Sequence, residues 1–130
     1  MDVRTIIEFK LDQRLGNVAL ATPPAWIFVK DLERLSSYLE EHLTRLSLNN
    51  DTESDVFTNS DLDFTAQAFS GEVRSDSDGE FSIQFMVNVG RTEDGRSHTY
   101  IGATSEITVE NANSFVASLR ARLGSLSQTI

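Results

Sequence analysis

The chain has 130 residues, with 20 acidic and 11 basic side chains, a net charge of −9 and no cysteine. This length fits one domain with an ordinary core, and the lack of cysteine excludes disulfides and thiolate metal sites. The acidic balance argues against nucleic-acid partners and anionic membrane surfaces, because both require basic side chains. A basic protein partner is its electrostatic complement, and the alternative is that the charge serves solubility alone.

The N-terminal residues have the features of neither a signal peptide nor a membrane anchor. They lack a basic stretch followed by an apolar core. No apolar run in the chain approaches the roughly 20 residues that span a bilayer. We therefore expect a cytoplasmic protein with a native start.

The predicted elements begin with a strand over residues 5–11, where apolar and polar side chains alternate. A turn at residues 14–17 leads to a returning strand at residues 18–22. Pro23 and Pro24 then interrupt the pairing, because neither can donate a backbone hydrogen bond.

A short strand at residues 25–29 follows the prolines and carries Trp26 and Phe28. Two interpretations of these aromatic side chains are open. They form an anchor for a partner protein, or they pack in the core, which is the usual fate of large apolar side chains.

The first helix is predicted over residues 32–46, with Asp31 as its N-cap. Its leucines recur at helical spacing and form one apolar stripe, at positions Leu32, Leu35, Leu39, Leu43 and Leu46.

An acidic connector at residues 49–61 follows this helix and leads into the next strand. No Lys or Arg occurs among its carboxylates. Together with the first acidic residue of the next strand, the carboxylates are Asp51, Glu53, Asp55, Asp61 and Asp63. As a functional site, these side chains meet a Lys/Arg patch on a partner. The alternative is a solvated loop, which is the usual role of a charge run.

The C-terminal half is predicted to contain three antiparallel strands, at residues 62–74, 81–89 and 98–109. Turns at residues 75–79 and 94–95 connect them, since each contains an Asp-Gly pair that provides a positive φ angle.

The final helix is predicted over residues 112–126, with Asn111 as its cap. At an offset of 80 residues the two helices and their preceding strands agree in apolar positions, as in Leu39 and Leu119. The chain thus divides into two strand-to-helix units, either by duplication or by convergence.

These elements predict a single α+β domain, 1–130. An antiparallel sheet of about five strands carries two amphipathic helices packed on one face. The order is strand-strand-strand-helix-strand-strand-strand-helix.

No constellation indicates catalysis, a cofactor or a metal. His42 and His98 lie far apart without ligand spacing, so we expect surface histidines. Residues 76–80 lack the later ligands of a calcium loop, and a hairpin turn accounts for them. The carboxylates of Asp61 and Asp63 lack an indicated cleft that would separate their pKa values.

Several segments together resemble one known family: residues 29–35 at the first helix, 63–66 and 85–89 in the strands, and 107–111 before the last helix. In their order they resemble the WapI-like immunity proteins of bacterial polymorphic toxin systems, over roughly residues 25–126. The resemblance implies a cytoplasmic inhibitor that binds a cognate toxin, often a basic nuclease, and blocks its active site.

We therefore predict a non-enzymatic protein-binding module, specifically an immunity-type inhibitor that occludes a basic toxin. One alternative is an acidic adaptor or secretion chaperone that holds a client segment by strand addition. Another is a structural or phage component. A homodimer is left open.

Overall fold

The computed structural model describes residues 1–10, 14, 19–22, 24–90 and 99–127. The described strands are β1 (Asp2–Thr5), β2 (Glu8–Lys10), β3 (Ala19–Ala21), β4 (Ala25–Phe28), β5 (Phe57–Thr58), β6 (Phe64–Ser75), β7 (Asp78–Asn88) and β8 (Tyr100–Thr108). The helices are α1 (Val29–Leu48) and α2 (Val109–Ser127). The predicted turn at 94–95, most of the turn at 14–17, Pro23 and His98 lie outside the described residues.

The described strands form three antiparallel sheets: β1 with β4, β2 with β3, and β5-β6-β7-β8 in that order. The predicted α+β class, with antiparallel strands and two helices, is confirmed. The strands are distributed differently from the prediction. Of the predicted first strand at residues 5–11, the structure shows β2, which pairs with β3, while β1 lies almost entirely before it and pairs with β4. A two-residue strand, β5, also forms within the acidic connector, so the largest sheet has four strands.

Both helices pack on the same face of the four-stranded sheet. The register places Ala66 opposite Phe85 and Ala68 opposite Ile83, so these side chains share one face. Two buried clusters join this face to leucines of α1 and to the apolar residues of α2. Neither described helix combines the length and the apolar character needed to cross a membrane.

Two predicted N-caps, Asp31 and Asn111, are wrong. Each helix begins two residues before the predicted cap, at Val29 and Val109. In α2 the hydroxyl of Thr108 accepts the N–H of Asn111 at 3.0 Å, so Thr108 is the N-cap. No side chain caps α1, and Asp31 lies in its first turn, where its carboxylate has a different role.

The β6–β7 hairpin confirms the predicted turn at residues 75–79. Gly79 has a φ angle of 144°, and a Cβ atom there would lie 2.2 Å from the carbonyl oxygen of Glu72. The Asp78 carboxylate accepts hydrogen bonds from the Arg74 guanidinium. Two of the carboxylates in residues 76–80, those of Asp78 and Glu80, thus belong to a surface ion-pair cluster around Arg74.

Candidate functional site

The acidic connector runs antiparallel along α1 and is attached at both ends. Near its beginning, the Thr52 hydroxyl donates to the carbonyl oxygen of Arg45 at 3.2 Å. Near its end, the N–H and the hydroxyl of Ser60 donate to the Asp31 carboxylate at 2.8 and 2.9 Å. The connector is therefore aligned with the helix over most of the helix length.

Two aromatic residues of α1 hold the middle of the connector. The Tyr38 hydroxyl donates to the carbonyl oxygen of Asp55 at 2.7 Å. His42 lies between the Ser54 hydroxyl at 2.7 Å and the carbonyl oxygen of Phe69 at 2.9 Å. Since that carbonyl can only accept, Nε2 of His42 donates to it, and Nδ1 accepts from Ser54.

The expectation of a surface histidine at His42 is wrong, because this side chain is fully buried. It lies beside the Phe81 ring, with 5.1 Å between ring centroids. Burial is the main cause that lowers the pKa of His42 below 6.5, with a smaller contribution from the positive charge of Arg45. The ring is therefore a neutral structural element at physiological pH.

Three of the five predicted carboxylates form a row on the outer side of the connector. Thr52 and Ser54 point inward and are buried, while Asp51, Glu53 and Asp55 are exposed. Alternate residues of extended chain are about 6–7 Å apart. No Lys or Arg in the described part of the chain forms an ion pair with these three carboxylates. We call Asp51, Glu53 and Asp55 the acidic row.

The other two predicted site residues lie at the opposite end of the connector. Asp61 is exposed on the turn before β6. Asp63 is half-buried, and its carboxylate accepts a hydrogen bond from the side-chain amide of Asn59 at 2.9 Å. The side-chain oxygen of Asn59 also accepts the N–H groups of Asp63 and Phe64. Asp63 thus shapes the turn that begins β6.

Asp31 is the most constrained carboxylate of the connector region, and it was assigned only a capping role from the sequence. It is 2% exposed and accepts hydrogen bonds from Ser60 and from the Arg34 guanidinium at 2.9 Å. Burial opposes its ionisation, but the hydrogen bonds from Ser60 and Arg34 outweigh burial and hold the pKa below 3.8. Asp31 therefore crosslinks the start of α1 to the end of the connector.

A second candidate site is a cleft of about 990 Å³ between the N-terminal segment, the sheet and α2. Most of the side chains that line it are apolar, including Val3, Phe9, Leu35, Leu39, Phe85, Ile107, Phe115 and Leu119. Binding sites in proteins are commonly concave and apolar in this way. No sequence motif signalled the cleft, because the residues that line it come from β1, β2, β4, α1, β6, β7, β8 and α2.

Trp26 borders this cleft, and its exposure corrects one expectation from the sequence. The alternation of β4 buries Ile27 and leaves Trp26 and Phe28 64% and 40% exposed. The interpretation that these two aromatic rings pack in the core is therefore wrong. Trp26 lies opposite Arg4, and Phe28 lies opposite Asp2, on the outer face of the β1–β4 pair.

Within the described residues, no three His, Cys, Asp or Glu side chains are grouped as a potential metal site. Comparisons of the chain with protein-family models, curated proteins and solved structures give no match. The functional argument therefore depends on the acidic row and the apolar cleft themselves.

Proposed function

We propose that this protein is a non-enzymatic, cytoplasmic protein-binding module that occludes a basic partner, as an immunity-type inhibitor does. The observation that carries the proposal is the acidic row. Asp51, Glu53 and Asp55 are exposed and have no basic partner among the described residues. The segment that carries them is held by hydrogen bonds of its backbone, in which the carbonyl oxygen of Asp55 accepts from Tyr38 of α1 and the N–H of Ser54 donates to Ala68 of β6.

The attachment of the row to the fold supports binding, since a solvated loop must lose conformational freedom when it binds. The N–H of Ser54 donates to the carbonyl oxygen of Ala68, and the N–H of Gly71 donates to that of Asn50. The backbone of the row is therefore ordered before a partner arrives, which reduces the entropic cost of association.

The charge of the whole molecule supports the same partner. A net charge of −9 creates a field that attracts a basic surface and accelerates association, especially at low salt. A nuclease surface that binds a phosphate backbone has this complementary chemistry. The proposed mechanism is steric and electrostatic occlusion, and it requires no catalytic group on this chain.

The proposal is tested first by capture of partners on tagged protein from its native lysate, at low and at high salt. We expect one dominant basic protein whose retention decreases as salt increases. The captured protein is then purified, and its association and dissociation rates are measured against the wild type and against Asp51→Lys/Glu53→Lys/Asp55→Lys.

The triple substitution is expected to lower the association rate by about tenfold or more at low salt, because it reverses the local field. A matched control is Glu33→Lys/Glu41→Lys/Asp76→Lys, which makes the same change in net charge at other exposed carboxylates. Equal effects of the two triple variants would reduce the acidic row to a contribution to net charge. An unchanged association rate in the first variant would refute the proposal for this surface.

A further inference from the structure

Within the part of the chain that the structure describes, the outer edge of β8 is open. Tyr100–Thr108 pairs with β7 along its length, and no described strand or backbone group pairs with its other side. Exposed edges of this kind are templates for strand addition, and proteins commonly protect them with Lys, Pro or bulges. β8 contains no Lys and no Pro, and its pairing with β7 has no register shift.

The same strand forms one wall of the apolar cleft. Ala103, Ser105 and Ile107 lie on the inner face of β8 and line the cleft. Ile101, on the same face, is 49% exposed, because the helices cover the sheet mainly over its other strands. The open edge and the open apolar surface are therefore adjacent.

We propose that an extended segment of a basic partner protein adds to β8 as a fifth strand of the main sheet. Its alternate apolar side chains enter the cleft, and its basic side chains lie on the opposite face. The inference rests on the proposed function, since it concerns the same partner, and it specifies a second contact beyond the acidic row. This is recognition by β-augmentation.

Charge and hydrogen bonding favour a basic protein segment over two other occupants of the cleft, a small amphiphilic molecule and a second copy of the chain. A small amphiphilic molecule would fill the cleft but would leave the edge N–H and C=O groups of β8 without a protein partner. A second copy of the chain would bring two molecules of charge −9 together.

The local charges at the edge also favour a basic segment. Between residues 99 and 111 the charged side chains are Glu106 and Glu110, and no Lys or Arg occurs there. Glu106 is exposed on the outer face of the sheet. A Lys or Arg of an added strand would lie beside this carboxylate, and such cross-strand pairs of opposite charge are favourable.

The experiment uses a capped ten-residue peptide of alternating Val and Lys as the probe, at concentrations up to about 1 mM. Trp26 is the single Trp of the chain and borders the cleft, so its fluorescence reports occupancy. Hydrogen exchange of the β8 amides reports new backbone hydrogen bonds. A second peptide with N-methyl groups at alternate residues keeps the side chains but cannot donate along one edge.

Two variants at neighbouring positions of β8 provide a matched pair. Ser105→Lys places a charge in the cleft, while Thr104→Lys places the same charge on the opposite face. Both residues are exposed, so both variants are expected to fold. We expect Ser105→Lys to weaken peptide binding about tenfold or more, because it buries a charge against apolar groups, and Thr104→Lys to weaken it much less.

Slowed exchange of the β8 amides with the first peptide, lost with the N-methylated peptide and in Ser105→Lys, would support the inference. Binding that is insensitive to both changes but is lost in the acidic-row triple variant would overturn it and leave the proposed function intact. No change in Trp26 fluorescence or β8 exchange at the highest concentration would also overturn it. The proposed function fails separately, in the rate measurements on the captured partner.

Discussion

The two strand-to-helix units have the same apolar pattern but different polar residues. In both, an isoleucine of the strand, Ile27 or Ile107, is followed by a helix that begins at Val29 or Val109. Both units therefore have the same boundary between strand and helix, at an offset of 80 residues.

Their surroundings differ at the equivalent positions. Asp31 is buried in a hydrogen-bond network, while Asn111 is exposed. Leu35 is 3% exposed, whereas Phe115 is 45% exposed beside the cleft. The comparison indicates that the spacing of apolar residues determines where a helix forms. Buried polar contacts, such as those of Asp31, distinguish the helix that other segments cover from the helix that stays partly exposed.

The largest expected difference between the units is in their apolar packing. Leu39→Ala should lower the free energy of unfolding by about 3 kcal/mol, because Leu39 is 2% exposed within a buried cluster. Leu119→Ala, at the equivalent position, should cost about 1 kcal/mol, since Leu119 is only half-buried and removes less apolar surface from water. Urea unfolding measures both variants, and equal losses would contradict the looser packing of α2 at this position.

The polar crosslink gives the next largest effect. Asp31→Ala should lower the free energy of unfolding by about 2 kcal/mol, because Ser60 and Arg34 lose their acceptor. Asn111→Ala is the matched change in the second unit and should have almost no effect.

The pH dependence of the Asp31 contribution follows from its lowered pKa. The unfolded chain binds a proton at this carboxylate near pH 3.8, and the folded chain binds it only at lower pH. The stabilisation is therefore complete at about pH 5 and above, and it is lost as the pH falls from there through the folded-state value. In urea unfolding, a difference between wild type and Asp31→Ala that persisted at the lowest pH would contradict a stabilising carboxylate.

Tyr38 gives a smaller effect that is specific to the connector. Tyr38→Phe removes the hydrogen bond to the carbonyl of Asp55 and leaves the N–H of Ala68 without its 3.0 Å acceptor, at a cost of about 1 kcal/mol. Tyr100→Phe is a control, because the Tyr100 hydroxyl bonds an exposed carbonyl of Leu62. Hydrogen exchange should become faster at Ser54 in Tyr38→Phe only, and unchanged exchange there would argue against this attachment.

The contribution of His42 protonation to the pH dependence of stability is the smallest of these effects at neutral pH and increases as the pH falls. The folded ring has its pKa lowered mainly by burial, so below about pH 6.5 the unfolded chain binds the proton first. Stability should therefore decrease as the pH falls from 7 to 5.5, by at most about 1.4 kcal/mol per pH unit. His42→Gln should be less stable at pH 7 but should lack this dependence, and parallel pH profiles of the two proteins would contradict it.

The sequence predicted those parts of the fold that depend on local patterns. The alternation of β7, the leucine stripe of α1 and the Asp-Gly turn at Gly79 each follow from neighbouring residues. The break between β1 and β2 was not predicted. It depends on hydrogen bonds between Ile7 and Thr22, which are 15 residues apart.

The candidate sites were predictable to different degrees. The carboxylates of the acidic row are visible in the sequence, but their common orientation depends on the inward-pointing Thr52 and Ser54. The apolar cleft was not predictable, because apolar residues have the same spacing along the sequence whether their side chains face other side chains or an open space. Phe115 illustrates this, since its helical spacing predicts burial and it is 45% exposed.

The antiparallel course of the connector along α1 has a consequence for the order in which the chain folds. Its contacts close progressively longer loops: 7 residues for Arg45 and Thr52, 12 for His42 and Ser54, 17 for Tyr38 and Asp55, and 29 for Asp31 and Ser60. Each contact shortens the loop that the next must close, so the entropic cost is divided into small steps. We expect this part of the chain to close from the C-terminal end of α1 towards its start, and the acidic row to form before the longest-range pairings of the sheet.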